Sequence, residues 1–250
     1  MGVEFHGRGW MRSVGMIKRA AGLVLLLAAV AVGQSSPTSR PVKRHDPKVW
    51  EKDIKKFEAA DAKAMPAPGS VEFVGSSTIR IWDLKSAFPG LDAFNRGFGG
   101  SWSVDCDYYA DRIVVKYRPR LVVYYAGDND IGGGASAASV DRAFEDFVAK
   151  VKAGVPGVKI VYLCIKPSIA RWNKWPAMRQ ANAMVKAFAE KTDGVSVVDC
   201  SAEMLGEDGR PRKELYRPDG LHMSAAGYEI WNLKLRPVVE QRSGDGNTSR

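Results

Sequence analysis

The chain has few of the side chains that hold metals or cross-link a fold. Its 250 residues include three cysteines, Cys106, Cys164 and Cys200, and no Cys-x-x-Cys pair. That spacing excludes a zinc ribbon and a disulfide framework, and the sequence predicts neither a metal site nor a cofactor. Two of the cysteines lie in or beside apolar runs, so we expect small buried hydrophobes rather than a bridge.

Histidine is equally scarce, because the chain has only three: His6, His45 and His222. His222 is the only one beyond residue 46, in the part of the chain that carries strand and helix patterns. Chemistry that requires an imidazole in the folded body therefore has a single candidate.

The chain also lacks a strong excess of one charge outside its N-terminal segment. The formal net charge is +9, but residues 1–40 contain five of the 37 basic residues and one of the 28 acidic ones. The remainder has 32 basic residues against 27 acidic ones, or +5. This mild excess permits acidic partners but does not favour nucleic acid.

No apolar run is long enough for a comfortable membrane span. Residues 20–32 are apolar, whereas a transmembrane helix needs about 20 residues. Lys18-Arg19 precede the run and small residues end it, a pattern typical of a secretory signal. We expect residues 1–33 to be a signal peptide and the protein to be secreted or periplasmic. An uncleaved signal anchor, the only reason to expect membrane contact, is the alternative.

Met16 is a more typical start for such a signal, so the first fifteen residues are expected to be an over-extended start. Residues 34–46 are rich in Pro and Ser and predict a linker. Residues 47–240 predict one domain, and residues 241–250 predict a disordered tail.

Strand and helix patterns alternate through the body. Buried-strand patterns cover residues 71–74, 91–98, 121–125, 159–165 and 195–198. Helical patterns cover residues 46–64, 103–117, 139–152, about 178–188 and the segment after Ser224. This alternation predicts βαβ units and an α/β fold with a parallel five-stranded sheet.

Three of these strands end in turns rich in glycine and small polar residues. The turns are Gly75-Ser76-Ser77, Gly99-Gly100-Ser101 and Gly127-Asp128-Asn129-Asp130. Sites in open parallel sheets form at the carboxyl ends of the strands, near a topological switch point. If the strand order is 2-1-3, Ser77 lies between the other two turns.

A fourth segment supplies the groups that a serine nucleophile needs. Asp219 and His222 are three residues apart in a loop before the last helix. His222 can take the proton of the Ser77 hydroxyl, and Asp219 can hold the ring tautomer. The backbone N–H groups of Ser77 and Gly100 and the side-chain amide of Asn129 are the candidate oxyanion donors.

The four segments together resemble the blocks of the SGNH (GDSL-type) hydrolase family. The resemblance covers roughly residues 70–235 and implies a flavodoxin-like, three-layer α/β/α sandwich. It also implies acyl- or acetyl-ester substrates and assigns by position the catalytic and oxyanion residues Ser77, Gly100, Asn129, Asp219 and His222. The family often has Asp where this chain has Ser76, so Ser76 is the alternative nucleophile.

Weaker signals concern the substrate. Aromatic and cationic side chains in the segments after the strands are candidates for substrate contact, namely Arg80, Trp102, Lys166, Arg171 and Trp172, with Trp82 and Trp175 beside them.

The predicted function is a secreted serine esterase for carbohydrate, lipid or other small esters, working without a cofactor. A non-catalytic carbohydrate-binding protein on the same fold is the alternative, and a phosphoesterase would need a metal cluster or Arg clamp that the sequence does not offer.

Overall fold

The computed structural model describes residues 1–2 and 45–241. The predicted signal segment, most of the predicted linker and nearly all of the predicted tail lie outside the described residues. Within those described ranges, no helix combines the length and apolarity that a bilayer span requires.

The centre of the domain is one parallel sheet of five strands. The strands are β1 (Val71–Gly75), β2 (Ala93–Gly97), β3 (Leu121–Tyr125), β4 (Lys159–Leu163) and β5 (Val195–Val198). Their order across the sheet is β2-β1-β3-β4-β5, and every pairing is parallel. The predicted α/β class and strand number are confirmed, and the order contains the 2-1-3 arrangement that places Ser77 between the other two polar turns. Predicted strands 91–98 and 159–165 are each shorter than expected.

Helices connect the strands. They are α1 (Glu51–Asp61), α2 (Ser77–Arg80), α3 (Leu84–Ala87), α4 (Ser103–Tyr108), α5 (Ala110–Ile113), α6 (Asp128–Gly132), α7 (Ala137–Gly154), α8 (Trp175–Ala189) and α9 (Ala225–Val239). Short 3₁₀ turns cover Pro47–Trp50, Val115–Tyr117, Trp172–Lys174, Ala202–Met204 and Lys213–Leu215. The three long helices α7, α8 and α9 fall where the sequence predicts them.

Both faces of the sheet are buried, which makes the fold a three-layer sandwich. Alternate residues of β3 point to opposite faces, so Tyr124 joins one apolar cluster and Tyr125 joins the other. The Tyr124 cluster contains the buried faces of α7 and α8, and the Tyr125 cluster contains that of α9. Burial on both faces explains why the strands read as continuous apolar runs.

The prediction of a single helix over residues 103–117 is wrong. The segment divides into α4, α5 and a 3₁₀ turn, with breaks at Tyr109 and Val114. Three β-branched residues in succession, Ile113 to Val115, weaken the end of a continuous helix. The break lets the buried Tyr117 hydroxyl donate to Asp61 Oδ2, a contact that a straight helix pattern does not reveal.

Gly75, the last residue of β1, sets the path into the first polar turn. Its φ is +146°, and a Cβ placed there would lie 1.9 Å from the Tyr125 carbonyl oxygen of β3. The neighbouring Ser76 N–H donates to that same oxygen at 3.1 Å. Only glycine therefore lets β1 stay paired while the chain turns into α2.

We expect Gly75→Ala to lower the free energy of unfolding by at least about 3 kcal/mol, because backbone must move to admit the methyl group. Gly90→Ala is the matched control, since Gly90 also has a positive φ of +80° but nothing within 4 Å of a Cβ. That control should lose only about 1–2 kcal/mol. Equal losses in urea unfolding of the two variants would contradict the steric account.

Candidate active site

The first polar turn exposes one serine hydroxyl and buries the other. Ser76 is the N-cap of α2 and is 3% exposed, whereas Ser77 is the first residue of α2 and is partly exposed. Because β1 lies between β2 and β3, Ser77 stands between the other two polar turns. Ser77 is thus the better placed of the two candidate nucleophiles.

The turn that carries Asp219 and His222 is closed by its own backbone. Tyr216 and Met223 form an antiparallel bridge, and inside it the Arg217 N–H donates to the His222 carbonyl at 2.8 Å. Asp219 Oδ1 accepts the backbone N–H groups of Leu221 and His222, each at 2.9 Å. These bonds, all within the turn, hold the carboxylate next to the imidazole.

A continuous chain of hydrogen bonds joins the carboxylate, the imidazole and the hydroxyl. His222 Nδ1 lies 2.6 Å from Asp219 Oδ2, and His222 Nε2 lies 3.0 Å from Ser77 Oγ. The bonds from the imidazole and the turn N–H groups lower the pKa of Asp219 to about 2. An ionised Asp219 accepts Nδ1–H, which leaves Nε2 free to accept the serine proton.

Helix α9 holds this turn against the first polar turn. Tyr228 donates its hydroxyl proton to the Thr78 carbonyl at 2.7 Å, and Trp82 Nε1–H donates to Asn232 Oδ1 at 3.0 Å. Both bonds are buried and link α9 to the segment that begins at Ser77. Sequence reasoning missed these two tethers and expected Trp82 near the substrate, whereas it is a core residue, 4% exposed.

Gly100 follows β2 at the turn next to Ser77. Its φ is +86°, and a Cβ there would come within 3.1 Å of the Trp50 ring. Within the part of the chain that the structure describes, the N–H groups of Gly100 and Ser77 donate to no protein acceptor. Both amides are therefore available to an incoming ligand.

Asn129 lies in the first turn of α6, after β3, and is held at both ends of its amide. Nδ2 donates to the Ser101 carbonyl at 3.0 Å, and Oδ1 accepts from Arg171 Nη2 at 3.0 Å. These two contacts fix which end of the amide is the NH₂ group. One of its two N–H bonds remains for a ligand.

A buried ion cluster supports the position of Arg171. Asp128 Oδ1 accepts from Arg171 Nη1 at 2.5 Å, and Asp128 Oδ2 lies 3.3 Å from Lys166 Nζ. The two cations lower the pKa of Asp128 despite its burial. Lys166 is only 1% exposed, and its contact with substrate stays a prediction. Arg171 spans Asp128 and Asn129 with one guanidinium.

The remaining predicted contacts lie in different places. Arg80 packs over Gly99, where a Cβ would meet its Nε at 2.7 Å, and Trp102 packs over Gly133 in the same way at 2.4 Å. These two are beside the Gly100 and Asn129 turns. Trp172 lines a cavity described below, and Trp175 is 7% exposed.

Sequence reasoning missed a cluster at the end of the predicted linker. His45 stacks on Trp102 with ring centroids 4.3 Å apart, and its Nε2 lies 2.7 Å from Asp105 Oδ2. Trp50 Nε1–H donates to that same oxygen at 2.9 Å, which holds the ring that backs Gly100. A histidine close to a Pro/Ser-rich segment gave no periodic signal that could have revealed this packing.

The three cysteines are free and buried, as predicted. Among the residues that the structure describes, no three His, Cys, Asp or Glu side chains are grouped so that they could hold a metal ion.

Comparison with known proteins gives a family match. A sequence model of the GDSL-like Lipase/Acylhydrolase family matches residues 80–230. That range contains Gly100, Asn129, Asp219 and His222 and begins three residues after Ser77. A comparison with curated proteins found no match.

Solved structures share the fold. A candidate platelet activating factor from Streptococcus pneumonia superposes with a TM-score of 0.70 at 22% identity, covering 77% of this chain and 93% of that one. A GDSL-like lipase from Bacteroides thetaiotaomicron gives 0.65 at 20% identity, with 75% and 97% covered. An acetylxylan esterase from Geobacillus stearothermophilus gives 0.56 at 16% identity, with 70% and 96% covered. At these identities the likeness establishes the fold.

We expect Asp128→Ala to lower the free energy of unfolding by about 3–5 kcal/mol, because it leaves the buried Lys166 ammonium without its anion. Asp53→Ala removes the carboxylate of a surface ion pair with Lys56 at 2.9 Å and is the control, expected to cost less than about 1 kcal/mol. Urea denaturation measures both. A loss at Asp128 as small as at Asp53 would contradict the role given to the buried cluster.

Proposed function

The chain belongs to the GDSL-like lipase/acylhydrolase family, and on that basis we propose that it is a serine esterase that hydrolyses acyl or acetyl esters. The observation that carries this proposal is the hydrogen-bond chain from Asp219 through His222 to the Ser77 hydroxyl. A hydroxyl is a weak nucleophile on its own and is activated by an adjacent base.

In the first step Ser77 Oγ attacks the ester carbonyl while His222 Nε2 takes its proton. The carbonyl π electrons move to the oxygen, which becomes an oxyanion. Asp219 stabilises the imidazolium that forms, because its pKa of about 2 keeps it ionised across the working range of pH. Collapse of the tetrahedral intermediate breaks the ester C–O bond, and the imidazolium protonates the leaving alcohol.

Three donors support the oxyanion in this proposal. They are the N–H groups of Ser77 and Gly100 and the remaining N–H of the Asn129 amide. Donors fixed before the reaction stabilise the developing charge without reorganisation. The clamp of Asn129 by Arg171 and the Ser101 carbonyl supports such fixing.

In the second step water hydrolyses the acyl-enzyme. His222 takes a proton from the water as it attacks the acyl carbonyl, and then returns a proton to Ser77 Oγ as the acid leaves. Every step uses groups of this chain and water.

The acyl group in this proposal is small, with acetyl the first choice. Among the structural neighbours are an acetyl esterase and the acetylxylan esterase from Geobacillus stearothermophilus. The name of the second suggests an acetylated carbohydrate, with a lipid or other small ester as the alternatives. Export through residues 1–33 is a further part of the proposal and rests on the sequence pattern alone.

The direct test compares Ser77→Ala with Ser76→Ala. Loss of the nucleophile should reduce kcat for p-nitrophenyl acetate by at least about 10³-fold and abolish labelling by a fluorophosphonate probe. Ser76→Ala should retain kcat within about tenfold, since its hydroxyl is buried. Circular dichroism checks that both variants fold. Labelling that survives in Ser77→Ala but not in Ser76→Ala would contradict the assignment of Ser77 as the nucleophile. If the wild-type protein turns over no ester, the carbohydrate-binding alternative is favoured.

A second test concerns the oxyanion donors. Asn129→Ala should lower kcat by about 10²–10³-fold with little change in KM, as expected for a group that acts in the transition state. Arg171→Gln should lower kcat by roughly tenfold, because the amide keeps its bond to the Ser101 carbonyl but loses the one from the guanidinium. Arg171→Lys should recover only part of that loss, since Lys cannot bridge two acceptors as a planar fork. A change in KM alone would contradict a positioning role for Arg171.

A further inference from the structure

A cavity of about 780 Å³ lies beside the Asp219–His222 turn and takes no part in the mechanism above. Its wall includes Trp172 from the segment after β4 and Pro218 and Gly220 from the turn itself. Pro218 and Gly220 flank Asp219 in the chain, so one backbone turn both lines the cavity and carries the imidazole. The cavity is large enough for the polar part of a small substrate.

The charged residues that line the cavity are all cations: Arg210, Lys213 and Arg217. The Arg210 guanidinium lies over the Trp172 ring at 5.5 Å, and Arg217 Nε–H donates to the Met223 carbonyl at 3.1 Å. The second contact leaves the Arg217 terminal nitrogens for other acceptors. Three cationic side chains around one cavity concentrate positive charge there, although the domain as a whole has only a mild excess of basic residues.

The carboxylates near the cavity each have partners of their own. Glu214 pairs with Arg212 at 2.8 Å, and Asp208 accepts the backbone N–H of Arg210 at 2.9 Å in its own turn. Asp219 is bound to the His222 ring and to two N–H groups of its turn. Among the described residues that line the cavity, none is acidic.

We propose that this cavity binds an anionic group on the alcohol part of the ester substrate. The inference rests on the proposed esterase function and deepens it: the substrates are esters whose alcohol part carries a negative charge. Carboxylates and phosphates are both anions that Arg and Lys side chains bind through charged hydrogen bonds. Apolar wall residues such as Trp172 and Pro218 accommodate the carbon skeleton between the charged group and the ester.

The test measures kcat/KM for three acetyl esters of one shape: 4-acetoxybenzoate, 4-acetoxyphenyl phosphate and the neutral 4-acetoxybenzamide. Wild type should prefer at least one anionic ester over the amide by roughly tenfold or more, as expected for hydrogen bonds to a charged group. The preference should weaken at high salt. Which anion is preferred distinguishes a carboxylate source from a phosphate source.

Three variants locate the preference. Lys213→Gln and Arg210→Gln should each reduce the anionic-to-neutral ratio by about fivefold or more. Arg212→Gln removes the same charge one residue away, from an exposed side chain paired with Glu214 and not lining the cavity, and should change the ratio by less than twofold. Equal ratios in all four proteins, or an equal fall in Arg212→Gln, would overturn the proposal.

Failure of this inference is distinguishable from failure of the esterase function. Turnover of 4-acetoxybenzamide without any anionic preference overturns the cavity assignment alone. If no ester is turned over, calorimetry with 4-hydroxybenzoate and phenyl phosphate tests the cavity by itself. Binding that weakens in Lys213→Gln but not in Arg212→Gln supports it, and absence of binding, or equal binding in the three proteins, overturns it.

Discussion

The hydrogen bond between His222 Nε2 and Ser77 Oγ forms because the sheet and helix α9 bring two distant turns together. It joins residues 145 positions apart at 3.0 Å. The sheet order supplies the first half of this meeting, because it places β1 between β2 and β3. The tethers from Tyr228 and Asn232 of α9 supply the second half, because they hold the helix after His222 against the segment after Ser77. Neither loop could keep this geometry alone.

Part of the buried charge lies at the carboxyl end of the sheet, where it orients the polar turn after β3. Asp128 is compensated by Lys166 and Arg171, and Asp130 accepts the Ser103 N–H at 2.9 Å, although burial still raises the pKa of Asp130 to about 6. Such clusters add little net stability compared with apolar packing. Their effect here is to fix one arrangement of Arg171 and hence of the Asn129 amide. We therefore assign to the cluster the role of fixing the geometry of the site, rather than that of stabilising the fold.

A different case is Glu72, the second residue of β1. It is fully buried, and burial raises its pKa well above the ordinary value. Neither of its carboxyl oxygens has a hydrogen-bond partner among the described residues. A neutral carboxylic acid is the form that this environment favours. Glu72 lies near the end of β1 that is opposite the polar turn, and it takes no part in the proposed reaction.

Much of the sheet and of the central contacts could be predicted from the sequence, because they depend on local patterns. The strands are short apolar runs that end in polar turns, and the spacing of Asp219 and His222 places both on one turn. The burial of Lys166, the broken helix over residues 103–117 and the packing of His45 on Trp102 could not be predicted. Each depends on which distant residue meets the side chain, and no periodic pattern records that.

Trapping the covalent intermediate shows whether Ser77 is the nucleophile and whether His222 activates it. The enzyme would be incubated with an activated carbamate ester, whose carbamoyl adduct hydrolyses slowly, and then digested and mapped by mass spectrometry. We expect one stoichiometric adduct, located by fragmentation on Ser77, which fails to form in His222→Ala. An adduct on Ser76 or elsewhere, or full modification of Ser77 without the imidazole, would contradict it.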